Sequence, residues 1–122
     1  FSYVYMVYGM YHCLNIVTEK EGNPSAVLIR AAEILNPKSE FLNKSKIQNL
    51  KISNVKLNGP GILCRGLKID RKLNAVDLTK SNLIWIEDGE NKIKKRQIKK
   101  GKRIGVDYAG KWKDKLWRFY LE

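Results

Sequence analysis

The chain has 122 residues, of which 43% are hydrophobic, so its length and composition predict one folded domain and exclude a disordered tail. Twenty-four Lys and Arg against twelve Asp and Glu give a formal net charge of +12, which indicates a polyanionic partner, either nucleic acid or an anionic membrane surface. The membrane is disfavoured because the most apolar run, residues 1–17, contains four tyrosines, a histidine and an asparagine and is too short for a spanning helix.

The first predicted elements are two strands. Residues 1–8 and 11–18 are rich in aromatic and β-branched residues, and the glycine and methionine between them are short enough for a hairpin turn. Since alternate residues of a strand share a face, Tyr3 and Tyr5 lie together, whereas Tyr8 should point elsewhere, at the tip of the hairpin. One ring beside a base-sized pocket and another at a tip suit a protein that handles nucleobases.

Residues 26–32 predict a third strand, mostly buried, in which Arg30 is an anomaly. A charge in such a run is paired or lies at the rim of a cleft, because an unpaired buried charge is costly. The pattern leaves two interpretations equal: a structural arginine that reaches the surface or pairs with Glu33, and a functional one. Residues 39–50 predict a short helix.

A turn around Pro60 leads into a second predicted helix, with Leu63 and Leu67 on one face. Gly59 and Gly61 allow the backbone to approach another group closely. Because a Gly-Pro-Gly turn before a helix is common, the pattern alone favours a tight turn without a ligand.

Further along, residues 83–87 predict a strand and Asp88-Gly89 a hairpin turn. Eight of the twelve residues in the return arm, residues 92–103, are basic. This arm is either a solvated edge strand guarded by lysines or a surface that faces phosphates. Its candidate DNA-binding residues are Lys94, Lys95, Arg96, Lys99 and Lys100.

Residues 103–109 and 116–121 predict the closing strands, and three tryptophans are expected in or near the core: Trp85, Trp112 and Trp117. The chain shows no internal repeat, and we predict a single domain over residues 1–122.

Cys13 and Cys64 are too few for a disulfide framework, and with the lone His12 they match no metal-ligand spacing. We therefore expect buried thiols, no metal site and a reducing, intracellular compartment, in the cytoplasm, nucleoid or nucleus.

Several segments in family order resemble the alkyladenine (3-methyladenine) DNA glycosylases. The matching segments are residues 3–15, 26–33, 58–67, 103–109 and 117–120. The resemblance implies a mixed α/β (α+β) fold: one domain on a curved antiparallel sheet with a protruding aromatic β-hairpin. It also implies excision of alkylated or deaminated purines from double-stranded DNA, by nucleotide flipping and hydrolysis of the N-glycosidic bond, in a monomer without a cofactor.

The same resemblance implies roles for single residues. Tyr8 is similar to the tyrosine that wedges into the duplex, and Tyr5 to the one that stacks on the extruded purine. Asn15 is similar to the asparagine that crowds the 2-amino group of guanine, and Leu28 to an apolar wall of the pocket. Arg30 is similar to the arginine that holds the attacking water. The backbone of Asn58 and Gly59 is similar to the segment that closes the pocket. For Arg30 the resemblance therefore favours the functional interpretation.

In that family the general-base glutamate lies ahead of the tyrosine hairpin, and this chain starts after that motif. Four carboxylates of the chain are candidates for the same role, but none matches the catalytic motif: Glu33, Asp70, Asp77 and Asp107. We therefore expect the chain to be the C-terminal portion of a glycosylase domain whose upstream part supplies the base.

Two other function classes stay open. The alternative is a non-catalytic basic module that binds nucleic acid by stacking bases, which should prefer single strands, whereas a flipping protein should prefer a damaged duplex. A basic structural subunit of a ribonucleoprotein is the least favoured, because the aromatic residues concentrate in one hairpin.

Overall fold

The computed structural model describes residues 1–35 and 55–121. The chain divides into two compact units, Phe1–Glu87 and Asp88–Glu122, and the single domain stays a prediction. The described elements comprise one α-helix, α1 (Pro60–Gly66), three 3-10 helices (Arg71–Leu73, Lys95–Gln97 and Asp107–Trp112) and seven strands: β1 (Ser2–Val7), β2 (Tyr11–Val17), β3 (Ala26–Leu28), β4 (Ala31–Ile34), β5 (Val55–Asn58), β6 (Ile98–Gly101) and β7 (Arg118–Leu121).

The predicted mixed α/β class is confirmed, but the described strands form three small antiparallel sheets instead of one curved sheet. Their orders are β1-β2-β3, β4-β5 and β6-β7. No helix among the described residues is long and apolar enough to cross a bilayer. The helix predicted over residues 39–50 lies outside the described residues.

The predicted pairing of the first two strands is observed. β1 and β2 pair from Ser2 opposite Ile16 to Val7 opposite Tyr11, and the Met10 N–H donates to the Val7 carbonyl oxygen over 3.0 Å. The turn is centred on Tyr8 and Gly9, one residue before the predicted Gly9 and Met10, and these two residues have φ angles of 52° and 64°. Positive φ at both central positions matches the right-handed twist of the two strands, which is why such turns close hairpins.

The base of the hairpin is anchored by a neighbouring loop. The Ser2 N–H donates to the Val76 carbonyl oxygen over 2.8 Å, and the Val4 N–H donates to Asn74 Oδ1 over 2.8 Å. Ser2 is buried, and its hydroxyl donates to the Leu73 carbonyl oxygen. These bonds satisfy backbone groups at the outer edge of β1 that would otherwise be open for pairing.

One face of the hairpin forms the core of the first unit. Val4 and Leu14, which are paired directly across the two strands, are 3% and 7% exposed and pack in one cluster with Leu63, Cys64, Leu57 and Ile69. Helix α1 supplies Leu63 and Cys64, which confirms the predicted helix and the predicted burial of the cysteine. Leu67 follows the last helical residue and is exposed.

The continuous buried strand predicted over residues 26–32 is wrong. The strand is interrupted at Ile29 and Arg30, where the chain changes partners. The Ile29 N–H still donates to the Leu14 carbonyl oxygen of β2 over 3.0 Å, whereas the Arg30 carbonyl oxygen accepts from the Gly59 N–H over 2.8 Å. Because β4 then pairs with β5, the two halves belong to different sheets, and most of their side chains are partly or fully exposed.

The strand and hairpin predicted over residues 83–89 are also wrong. Residues 83–87 form no strand. The strand β6 lies within the predicted basic return arm, but it pairs with β7 and not with residues 83–87. The strand predicted over residues 103–109 is replaced by irregular chain and a 3-10 helix. The φ angle of Gly105 within this segment, 73°, is incompatible with an extended strand.

The prediction of buried tryptophans is wrong as well, since Trp85, Trp112 and Trp117 are about half exposed. Trp112 and Trp117 stack with their ring centroids 5.5 Å apart. Cations cover these rings: Arg103 lies 5.1 Å from the Trp117 centroid and Lys111 lies 4.9 Å from the Trp112 centroid. The second unit thus uses ring stacking and cation–π contacts where we expected a core.

Replacing Gly61 by alanine should destabilise the first unit. A Cβ at this position would lie 2.7 Å from the nearest ring atom of Tyr11, and overpacking of this kind costs about 1–3 kcal/mol. Without this contact, alanine should stabilise the helix by about 1 kcal/mol relative to glycine. A lower free energy of unfolding of Gly61→Ala, measured in urea, would therefore be due to the contact with Tyr11.

Gly89→Ala is the matched control, because a Cβ there meets nothing closer than 3.9 Å. A higher unfolding midpoint for Gly61→Ala than for the unmodified chain, the result expected from helix propensity alone, would mean that α1 does not lie against Tyr11.

Candidate functional site

The register of β1, β2 and β3 brings three predicted pocket residues together. Asn15 is paired directly with Leu28 of β3 and, on its other side, with Tyr3 of β1. Tyr5 lies two residues further along β1 and is paired with Cys13. Directly paired side chains in antiparallel strands lie on the same face, with Cβ atoms about 4.5–5.5 Å apart. Tyr5, Asn15 and Leu28 therefore share the face opposite the core, which we call the Tyr5 face together with Tyr3 and Cys13.

Tyrosine rings and one amide shape the Tyr5 face. As predicted, Tyr3 and Tyr5 lie side by side, with ring centroids 5.1 Å apart and planes inclined by 35°. Asn15 is buried, and its Nδ2 donates to the Tyr3 carbonyl oxygen over 3.4 Å. The partly buried Tyr5 ring is thereby held next to a ring and an oriented amide, which is a surface suited to a flat polar ligand.

Arg30 lies where the chain leaves this sheet. Its carbonyl oxygen accepts from the Gly59 N–H, and its neighbour Ala31 is paired with Asn58. The structure thus brings Arg30, Asn58 and Gly59 together through their backbones. The charge of Arg30 acts on the Cys13 thiol, so its guanidinium lies within electrostatic range of the Tyr5 face.

Cys13 is a neighbour of the site that sequence reasoning left out. Burial raises the pKa of its thiol above the usual value of 9.0, against the opposing effects of a side-chain hydrogen bond with Tyr5 and of the Arg30 charge. The thiol therefore stays protonated at neutral pH and contacts Tyr5 as a neutral group. Counting outward from the predicted Gly9-Met10 turn would have paired Tyr5 with Leu14, so the longer turn of the structure is what places Cys13 opposite Tyr5.

No carboxylate lies on the Tyr5 face among the paired residues of β1, β2 and β3. Two of the four candidate carboxylates serve local turns instead. Asp70 Oδ1 accepts from the Lys72 N–H over 2.9 Å. Asp77 Oδ1 accepts from the Thr79 hydroxyl over 2.6 Å and from the Thr79 N–H over 2.9 Å, which lowers the pKa of Asp77. Glu33 lies opposite Lys56 in the second sheet.

Tyr8 lies apart from the Tyr5 face, at the hairpin turn. Its side chain is 86% exposed and its φ is 52°. Left-handed backbone is uncommon for residues other than glycine and costs of the order of 1–2 kcal/mol. The turn therefore holds a large aromatic side chain in solvent at an energetic cost, which is a pattern typical of functional positions.

The predicted DNA-binding cations belong to the second unit and are all exposed. Lys94, Lys95 and Arg96 lie at the start of a 3-10 helix, while Lys99 and Lys100 are consecutive residues of β6 and point to opposite faces. Lys100 lies 5.8 Å from the ring centroid of Phe119. The arm therefore presents its charge on more than one side.

Within residues 1–35 and 55–121, no group of three or more His, Cys, Asp or Glu side chains could hold a metal ion.

Residues 1–122 match the family model described as methylpurine-DNA glycosylase. Over 133 aligned residues the chain is 48% identical to a protein of Desulfitobacterium hafniense that carries the name "Putative 3-methyladenine DNA glycosylase". Proteins with the same name from Clostridium novyi and Bdellovibrio bacteriovorus are 42% and 46% identical. These matches cover 98–100% of this chain but 58–61% of the three relatives, so the chain spans less than two thirds of their length.

Proposed function

Because the chain belongs to the methylpurine-DNA glycosylase family, we propose that it acts in DNA base-excision repair, by hydrolysing the N-glycosidic bond of damaged purines in duplex DNA. The observation that carries this proposal is the pair of tyrosines three residues apart in one hairpin. Tyr5 lies on a sheet face with Asn15 and Leu28, and Tyr8 is held in solvent at the tip.

In the proposed reaction the nucleotide first leaves the duplex. Unstacking and unpairing a base costs a few kcal/mol, least for a damaged pair. Tyr8 fills the vacated space and stacks on the neighbouring bases, which offsets that cost because stacking on an aromatic side chain contributes about 1–3 kcal/mol per base. The turn at Tyr8 and Gly9 already places the ring in solvent, and a preformed turn loses less conformational entropy on binding.

The Tyr5 face then receives the extruded purine. Tyr5 stacks on its ring, Leu28 supplies an apolar wall, and Asn15 crowds the 2-amino group that distinguishes guanine. An alkylated purine that carries positive charge gains a further cation–π attraction from the electron-rich tyrosine ring.

Arg30 is the residue we propose for holding the attacking water, near the backbone of Asn58 and Gly59. The base that deprotonates this water is proposed to come from a segment ahead of Phe1. The lack of a carboxylate among the paired residues of the Tyr5 face supports this division. Loss of a general base typically slows such a step by about 10²–10⁴-fold.

We further propose that the protein works on damaged double-stranded DNA as a monomer inside the cell, without a cofactor. A non-catalytic nucleic-acid-binding module is the second candidate. It is favoured by the net charge of +12 together with the lack of a carboxylate among the paired residues of the Tyr5 face, and it would stack bases on the same tyrosines without breaking a bond.

Single-turnover release of hypoxanthine from duplex DNA tests the enzymatic proposal. The 122-residue chain should bind the duplex and release the base slowly, whereas the full-length D. hafniense relative, of which the match covers 61%, should release it about 10²–10⁴-fold faster if it contains the proposed base. Tight binding without release by both proteins would favour the non-catalytic module.

Tyr8→Ala should weaken binding to a hypoxanthine duplex by about 10- to 100-fold, the equivalent of one lost base–aromatic stack, and weaken binding to undamaged duplex less. Tyr8→Phe keeps the ring and should retain the preference for the lesion. Tyr108→Ala is the matched control, since Tyr108 is 87% exposed and Tyr8 is 86% exposed. The same loss on both duplexes would contradict the wedge.

Replacing Lys94, Lys95 and Lys99 by glutamine should flatten the salt dependence of DNA binding. Each neutralised phosphate contributes about 0.9 to the slope of log K against log salt, so removing three lysine–phosphate pairs should reduce the slope by about 2.7. The control removes the same charge from three exposed lysines of the first unit, Lys20, Lys72 and Lys80. An unchanged slope in the arm variant, or equal changes in both, would make the arm a solvated surface.

A further inference from the structure

A groove of about 480 Å³ lies in the first unit, lined by the end of the hairpin and the start of α1. The hairpin contributes Met10, Tyr11 and His12 to its lining, and α1 contributes Gly61, Ile62 and Arg65. Tyr11 can lie against the helix because Gly61 has no Cβ.

The charge of the groove has one sign. Arg65 is exposed and His12 is partly exposed, and no carboxylate is among the described residues that line it. Arg65 carries a fixed positive charge and a planar set of N–H donors that suits phosphate oxygens, while even a neutral imidazole keeps one N–H donor. These groups complement an anion with several oxygen acceptors.

The position of the groove identifies which anion would reach it. Met10 lines the groove and lies two residues beyond Tyr8, a separation that spans at most about 7 Å of chain. The rise per base pair is about 3.4 Å, so the edge of the groove lies within about two base steps of the tyrosine at the tip. Met10 is itself 81% exposed.

We propose that this groove binds the sugar–phosphate backbone of the duplex close to the inserted hairpin, with Arg65 and His12 donating to one phosphate. This inference rests on the proposed function, because it requires that the hairpin tip enters DNA. Ile62 and Met10 cover the apolar face of the adjoining sugar, and the contact fixes the distance between the tip and the DNA strand. Phosphate contacts of this kind position a protein without reading the base sequence.

The test pairs Arg65 variants with duplexes that carry a single neutral methylphosphonate at successive positions around hypoxanthine. Arg65→Gln should weaken binding about 10-fold and reduce the salt slope by about one. One methylphosphonate should weaken the unmodified protein by a similar factor and leave the Arg65→Gln affinity unchanged. Additive losses at every position, or no loss in Arg65→Gln, would overturn the proposal.

Arg65 also lies in the last turn of α1, where a cation stabilises the helix through its dipole, so thermal unfolding is measured alongside. Arg65→Lys preserves the charge and should lose less affinity than Arg65→Gln. Ile62→Glu introduces an anion at an exposed position in the first turn and should weaken binding more strongly than Ile62→Gln, without lowering the unfolding temperature. Equal affinities of these two Ile62 variants would also overturn the proposal.

The outcomes separate this contact from the catalytic proposal. If hypoxanthine is released but the losses from Arg65→Gln and from each methylphosphonate are additive, the proposed function stands and the phosphate contact in the groove is excluded. A position-specific, non-additive Arg65 effect keeps the groove even if neither this chain nor the full-length relative releases a base, a result that removes the enzymatic reaction.

Discussion

The two-residue period of the β1–β2 hairpin is the constraint on which the rest of the structure depends. It sends Val4 and Leu14 to one side, where they are almost fully buried against α1, and Tyr5 and Asn15 to the other. A shift of one residue in this register would exchange the two sets and expose the core residues. The stability of the core therefore enforces the composition of the candidate site.

A second constraint is the change of partner at Ile29 and Arg30. By ending its pairing with β2 and starting a new sheet with β5, the chain brings the Asn58–Gly59 backbone next to Arg30. This junction joins the sheet that carries Tyr5 to the turn that begins α1. The hairpin tip stays outside both sheets, which leaves Tyr8 accessible while the residues behind it are fixed by hydrogen bonds at Ser2 and Val4.

The hairpin, the shared face of Tyr3 and Tyr5, α1 and the buried cysteines were predictable from sequence, because each depends on a local period or a nearby turn residue. The break at Arg30 was not, because its cause is a hydrogen bond from Gly59, a distant residue. In the second unit, segments rich in lysine and tryptophan show the same strand pattern whether the rings are buried or covered by cations. The positive φ of Gly105, which the pattern did not reveal, interrupts the predicted strand. The separation of Tyr5 from Tyr8 was predictable from the strand period. The position of Cys13 beside Tyr5 was not, because it depends on the pairing register of β1 and β2.

The most direct measurement compares two adjacent residues on opposite faces of β1, by the ratio of affinities for hypoxanthine and undamaged duplex. If the Tyr5 face receives the extruded purine, Tyr5→Ala should reduce this ratio by about 10- to 100-fold. Val4→Ala should keep the ratio while it lowers the free energy of unfolding by about 1–3 kcal/mol. A wild-type ratio in Tyr5→Ala, or an equal fall in both variants, would contradict the division of the hairpin into a core face and a binding face.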